Sequence, residues 1–132
     1  MQDLTVTFIQ TELYWEDKEK NLEHFHNLLT PLKGKQDLII LPEMFNTGFT
    51  MQPGLYAEPM DGRAVTWMKE QAERLDAVLT GSIMVKEDEK HFNRLVWVTK
   101  HGDVATYDKR HLFRLGNEQD HFSPGENQVL IT

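Results

Sequence analysis

Leu4, Val6 and Phe8, with Ile9 following less regularly, alternate with the β-branched Thr5 and Thr7 at the start of the chain. A period of two with such neighbours predicts a strand over residues 3–10. From Asp17, a suitable N-cap, the residues Leu22, Phe25, Leu28, Leu29 and Leu32 recur at spacings of three, four and seven. They form the stripe of an amphipathic helix, which Pro31 and Gly34 bring to an end. Asp37-Leu38-Ile39-Ile40-Leu41 is a short continuous apolar run, the pattern of a strand buried on both faces as in a parallel sheet. A strand-helix-strand unit follows, its crossover expected to be right-handed.

After a loop rich in Gly, Pro and Met over residues 46–60, Asp61 is placed to cap a second helix. Its stripe is Val65, Met68, Ala72 and Leu75, and it should end near Asp76. Residues 78–85, 92–99 and 104–107 read as three strands. The charged turn Lys86-Glu87-Asp88-Glu89-Lys90 and His101-Gly102 separate them, and turns this short make neighbours antiparallel. Residues 109–125 are polar and irregular, and Val129 to Ile131 reads as the beginning of a further strand. The element order is therefore βαβαβββ, an α/β chain without repeats or low-complexity segments.

Composition narrows what such a chain does. A length of 132 residues corresponds to one small domain, able to bury somewhat under about 70% of its unfolded surface. With 39% hydrophobic and 27% charged residues it lies outside the range of disordered chains. A net charge of −7 argues against nucleic acid, which is gripped by clustered Lys and Arg. The longest apolar stretch, around Leu38 to Leu41, is far too short to span a bilayer, and Met1-Gln2-Asp3 lacks the basic start of a signal peptide. A cytoplasmic location is the default expectation, with neither membrane nor nucleic acid as partner. There are no cysteines, so disulfides, thiolate metal sites and thiol catalysis are excluded for these residues.

Two segments carry candidate chemistry. In Leu41-Pro42-Glu43-Met44-Phe45 a carboxylate follows a strand directly, at the carboxyl edge where open α/β sheets place ligands. Apolar neighbours on both sides would desolvate Glu43, raise its pKa and make it a usable general base. A solvated loop glutamate accounts for the local pattern equally well. In Tyr107-Asp108-Lys109-Arg110-His111-Leu112-Phe113 a cationic run follows another strand in an otherwise acidic chain. A lysine there can hold an oxyanion, although taken alone such a run is more often a solvated surface cluster.

These segments occur in order with Asn46-Thr47-Gly48-Phe49, Thr80-Gly81-Ser82, Asn93, Asn117-Glu118 and Ser123-Pro124-Gly125. The ordered set resembles the nitrilase superfamily of carbon-nitrogen hydrolases over nearly the whole chain, and within it the omega-amidase-like branch. The resemblance implies the N-terminal half of an α-β-β-α sandwich, residues 1–132 forming the first part of a single carbon-nitrogen hydrolase domain. It implies a Glu-Lys-Cys mechanism without cofactor, in which Glu43 is the general base, Lys109 stabilises the tetrahedral oxyanion and Glu118 is the second glutamate that positions lysine and substrate. The family's nucleophilic cysteine follows a later strand, beyond Thr132. The implied substrate is a small linear amide, such as the omega-amide of a keto acid, hydrolysed to an acid and ammonia. A catalytically inactive binding module derived from the same fold is the alternative.

The chain alone is expected to be inactive and to expose an apolar sheet face, favouring homo-oligomers or association with the missing C-terminal half. Phe45, Phe49 and His111 are candidate substrate contacts. Phe45, Phe49, Met51 and Met60 fit a satellite apolar cluster under a long loop equally well. Ser82 and Ser123 read as structural, because neither has a nucleophile's setting. Trp67 and Trp97 read as packing residues. No metal is expected, since His24 and His26 are two apart on different helix faces and no His-Glu-x-x-His spacing occurs.

Overall fold

The computed structural model describes residues 2–132. Its elements are β1 (Val6–Phe8), α1 (Lys18–Leu29), β2 (Leu38–Ile40), the single turn α2 (Pro53–Tyr56), α3 (Arg63–Leu75), β3 (Val78–Glu87), β4 (Lys90–Val98) and β5 (Val104–Asp108). Short 3-10 turns cover Thr30–Leu32, Arg114–Gly116 and Glu118–Asp120. The five strands form one sheet in sequential order, β1, β2 and β3 parallel, β4 and β5 antiparallel to their neighbours. The α/β order expected from the pattern is present, with α2 as an addition.

Asp17 caps α1 as expected, its side chain accepting from the Lys20 N–H. The helix buries Leu22, Phe25 and Leu29, while Leu28 is 40% exposed, off the stripe assigned to it. The buried polar residue of α1 is Asn21, whose amide donates to the carbonyls of Tyr14 and Asn46 and ties both loops to the helix. Asp61 does not cap α3. Gly62 occupies that position, and the helix's Ala64 N–H is accepted by the Glu58 carboxylate, six residues before Ala64, at 2.9 Å. Glu58 is buried and also pairs with Lys18 at 3.1 Å, so one carboxylate satisfies the helix end and an ion pair together. Asp76 closes α3 in the left-handed region, with φ 55°.

Ala64, Val65, Trp67, Met68, Ala72 and Leu75 of α3 pack with α1 onto Ile39, Leu79, Ile83, Val85, Val96 and Val98. Each large side chain of this core stabilises the fold by about 1.5–3 kcal/mol through burial. Because the strand order runs β1-β2-β3 in one direction, two crossovers of the same hand place both helices on one face of the sheet.

The opposite face carries Phe8, Ile40, Thr80, Ser82, Leu95, Trp97 and Tyr107, in register with one another. No helix covers it, and Phe8 is 74% exposed. Two-sided burial of β2 is thus absent: Ile39 is buried while Leu38 and Ile40 are only half-buried. The strand expected at Val129–Ile131 is also absent. That segment is irregular and largely exposed, its Val129 and Ile131 bordering a groove with Leu95, Trp97 and Tyr107.

Candidate active site

β2 and β5 run in the same direction, so residues following both strands emerge at one edge of the sheet. After β2 the chain continues beside β3: Leu41 N–H donates to the Thr80 carbonyl and Phe45 N–H to the Ser82 carbonyl. Between them Met44 adopts φ 48°, a left-handed conformation that costs a non-glycine residue about 1–2 kcal/mol. The Ser82 hydroxyl accepts the Met44 N–H at 2.9 Å and holds this turn. Ser82 is structural, as its sequence setting suggested. Gly81 is required beside it, because a Cβ there would meet Leu41 Cβ at 2.9 Å and the Phe45 ring at 3.0 Å.

The turn sorts its side chains. Met44 packs with Met84 and Phe122, and Phe45 lies between Phe25, which it meets edge-to-face, and the tilted ring of Trp67, with no exposed surface. Phe45 is therefore a core residue, and its assignment to substrate contact is corrected. Glu43 remains exposed at the sheet edge. Its side chain is 47% accessible, so the expected desolvation by flanking apolar residues does not occur: Met44 turns into the protein, away from it.

Lys109 follows β5 and reaches across to Glu43, the ammonium donating to Glu43 Oε1 at 2.7 Å. The same Nζ lies 2.9 Å from Glu118 Oε2. Glu118 arrives from the 3-10 turns, where Asn117 in a left-handed conformation reverses the chain, and it has no exposed surface. Glu118 Oε2 also accepts the Phe113 N–H at 2.6 Å. The three residues singled out for catalysis, up to 75 positions apart by their numbers, are thus one hydrogen-bonded group.

Asn93 completes the group, and its role was missed. Its amide donates to Glu43 Oε1 at 2.7 Å and to Glu118 Oε1 at 3.0 Å, while its main-chain carbonyl accepts the Lys109 N–H. The available signal was an asparagine in mid-strand, a disfavoured position, on the same alternation as Leu95 and Trp97.

Charge follows from these contacts. Burial pushes Glu118 up, but the Phe113 N–H, the Asn93 amide and Lys109 outweigh it and hold the carboxyl below its ordinary 4.5. Burial likewise lowers Lys109, and the hydrogen bonds and charges of Glu43 and Glu118 outweigh that, raising the ammonium above 10.5. Both groups are ionised at neutral pH. Behind Lys109, Arg94 forms a bidentate pair with Asp108 at 2.6 and 3.0 Å and a second pair with Glu87, fixing the strand end from which Lys109 projects.

The group borders two hollows. One, of about 260 Å³, is lined by Glu43, Asn93 and Lys109 together with Leu41, Leu95 and Tyr107. The other is formed by Glu43, Lys109, Phe49 and Phe113, with the Phe49 ring 5.3 Å from Lys109 Nζ. Phe49 lines the second hollow, whereas His111 is exposed and borders neither. Among the described residues no cluster of His, Cys, Asp or Glu is arranged to hold a metal, and no helix is long and apolar enough to cross a membrane.

Residues 5–131 match the family model described as carbon-nitrogen hydrolase. The chain belongs to the carbon-nitrogen hydrolase family. It is 37% identical over 131 residues to the omega-amidase YafV of Escherichia coli K12, a match covering 99% of this chain and 50% of that protein. Among solved structures, XC1258 from Xanthomonas campestris, a CN-hydrolase superfamily protein with an arsenic adduct in its active site, superimposes with a TM-score of 0.96 at 41% identity. That match covers 100% of this chain and 50% of the other. Saccharomyces cerevisiae Nit3, of branch 10 of the nitrilase superfamily, shares the fold with a TM-score of 0.81 at 24% identity, over 96% of this chain and 50% of that one. This carbon-nitrogen hydrolase chain spans about half the length of the curated relatives it matches.

Proposed function

We propose that the chain supplies the base, lysine and second glutamate of an amidase that hydrolyses a small linear amide to a carboxylic acid and ammonia. The thiol nucleophile then comes from outside these 132 residues, which contain no cysteine. The observation that carries this reading is Lys109 Nζ, held between Glu43 and Glu118 at 2.7 and 2.9 Å at the edge of a hollow. An ammonium has three N–H donors, so two bonds to carboxylates leave the third for an oxyanion.

In the proposed cycle Glu43 removes the thiol proton and sulfur attacks the amide carbon. Lys109 stabilises the negative oxygen of the tetrahedral adduct. Collapse breaks the C–N bond, and the amine leaves as ammonia with the proton that Glu43 returns. Glu43 then takes a proton from water, hydroxide adds to the thioester, and sulfur departs to be reprotonated. Glu118 keeps the lysine in place. Similarity to omega-amidase YafV supports an omega-amide of a keto acid as substrate.

The isolated chain is expected to release no ammonia from such amides. Replacing the segment of the Escherichia coli relative that aligns with this chain by the present sequence is expected to give an active chimera, inactivated by Glu43→Gln or Lys109→Met. A folded chimera without ammonia release would overturn the proposal. It would favour the second reading, a non-hydrolytic module on the same fold.

A further inference from the structure

Asn93 is buried within β4 and touches every charged member of the site: Glu43 from the loop after β2, Lys109 from the end of β5, and Glu118 from the 3-10 turn. A side-chain amide has two N–H donors, and each is directed to a different carboxylate. The result is unequal occupancy. Glu118 accepts from Asn93 on Oε1 and from Phe113 N–H and Lys109 on Oε2. Glu43 accepts from both Asn93 and Lys109 on Oε1, and among the described residues no donor reaches its Oε2.

A carboxylate that accepts donors on both oxygens is a poorer proton acceptor than one with an unbonded oxygen, whose lone pairs point in a fixed direction. We propose that Asn93 is a positioning residue whose single amide clamps both carboxylates, closing Glu118 to protons and turning Glu43 so that Oε2 is the open, proton-accepting oxygen. This rests on reading Glu43 as the base. Without the amide, Glu43 is held by Lys109 alone, a point-like cation that either carboxylate oxygen satisfies. Glu118 in turn loses one of the donors that keep it ionised in a fully buried position.

The test needs no turnover, so its outcome is separate from that of the chimera. In the unsubstituted chain, with carbon-13 in the glutamate side chains and nitrogen-15 in asparagine, the two Asn93 amide protons are expected to give distinct, slowly exchanging signals that move as the carboxylates titrate. In Asn93→Leu, equal in shape but without donors, the Glu118 titration midpoint moves to higher pH. A folded Asn93→Leu chain in which Glu118 and Glu43 titrate as before would overturn the clamp. Rapidly exchanging Asn93 protons that ignore the titration would overturn it as well, and that measurement decides alone if Asn93→Leu does not fold.

Discussion

Glu118 has no exposed surface yet stays charged, and the stability of the chain must follow its titration. Its carboxyl is lowered in the folded state, so its contribution is present above its ordinary 4.5 and is lost as pH falls through the folded value. Lys109 is raised, so its contribution is complete below 10.5 and disappears as pH rises through its folded value. Urea unfolding across pH is therefore expected to show a plateau between these limits, falling on both sides. Glu118→Gln should lower the plateau by about 1–3 kcal/mol and soften the acid limb; a limb as steep as the natural one would contradict the assignment. At this scale the sequence singled out Glu43, Lys109 and Glu118 one by one, while Phe45, read as a substrate contact, is buried in the core. Adjacency along a loop does not say which side chains a left-handed turn sends into the core.

The β3-β4 hairpin and the turn after β2 show how elements set the site. Asp88 and Glu89 have φ 49° and 61°, so the strands extend to Glu87 and Lys90 around a two-residue type I′ turn, tighter than the five-residue charged turn expected. Glutamate is strained at the second position, and its ion pair with Lys86 is exposed and weak. Glu89→Gly is accordingly expected to stabilise the chain by roughly 1 kcal/mol, read as a thermal midpoint raised by a few degrees. Gly81→Ala should do the opposite, losing about 1–3 kcal/mol as the new methyl presses on Leu41 and Phe45. Because that pressure falls on the loop bearing Glu43, the Lys109–Glu43 hydrogen bond should weaken with it, visible as a change in the Lys109 ammonium signal. The absent strand at Val129–Ile131 belongs here too: the run borders Leu95, Trp97 and Tyr107 on the sheet face and pairs with neither edge strand, and an apolar run becomes a strand only by backbone pairing.

For the whole molecule the governing feature is the uncovered sheet face, with Phe8, Leu95, Trp97 and Tyr107 on the side away from the helices. An apolar face of this kind drives association. The isolated chain is expected to sediment faster than a monomer, and Phe8→Asp combined with Leu95→Lys to return it toward monomer; a monomeric natural chain would refute this. The amphipathic stripes, the alternation and the order of motifs were legible by themselves, because periodicity and local turn chemistry are properties of neighbours in sequence. They determined the element order, the helix-facing core and the family. Tertiary structure decided what depends on distant segments meeting. It joined Glu43 to Lys109 across parallel strand ends, recruited Asn93 to both carboxylates, and assigned Glu58 to cap α3 in place of Asp61. Hydrogen-bond partners separated by tens of residues leave no period in the sequence, so only the folded chain reveals them.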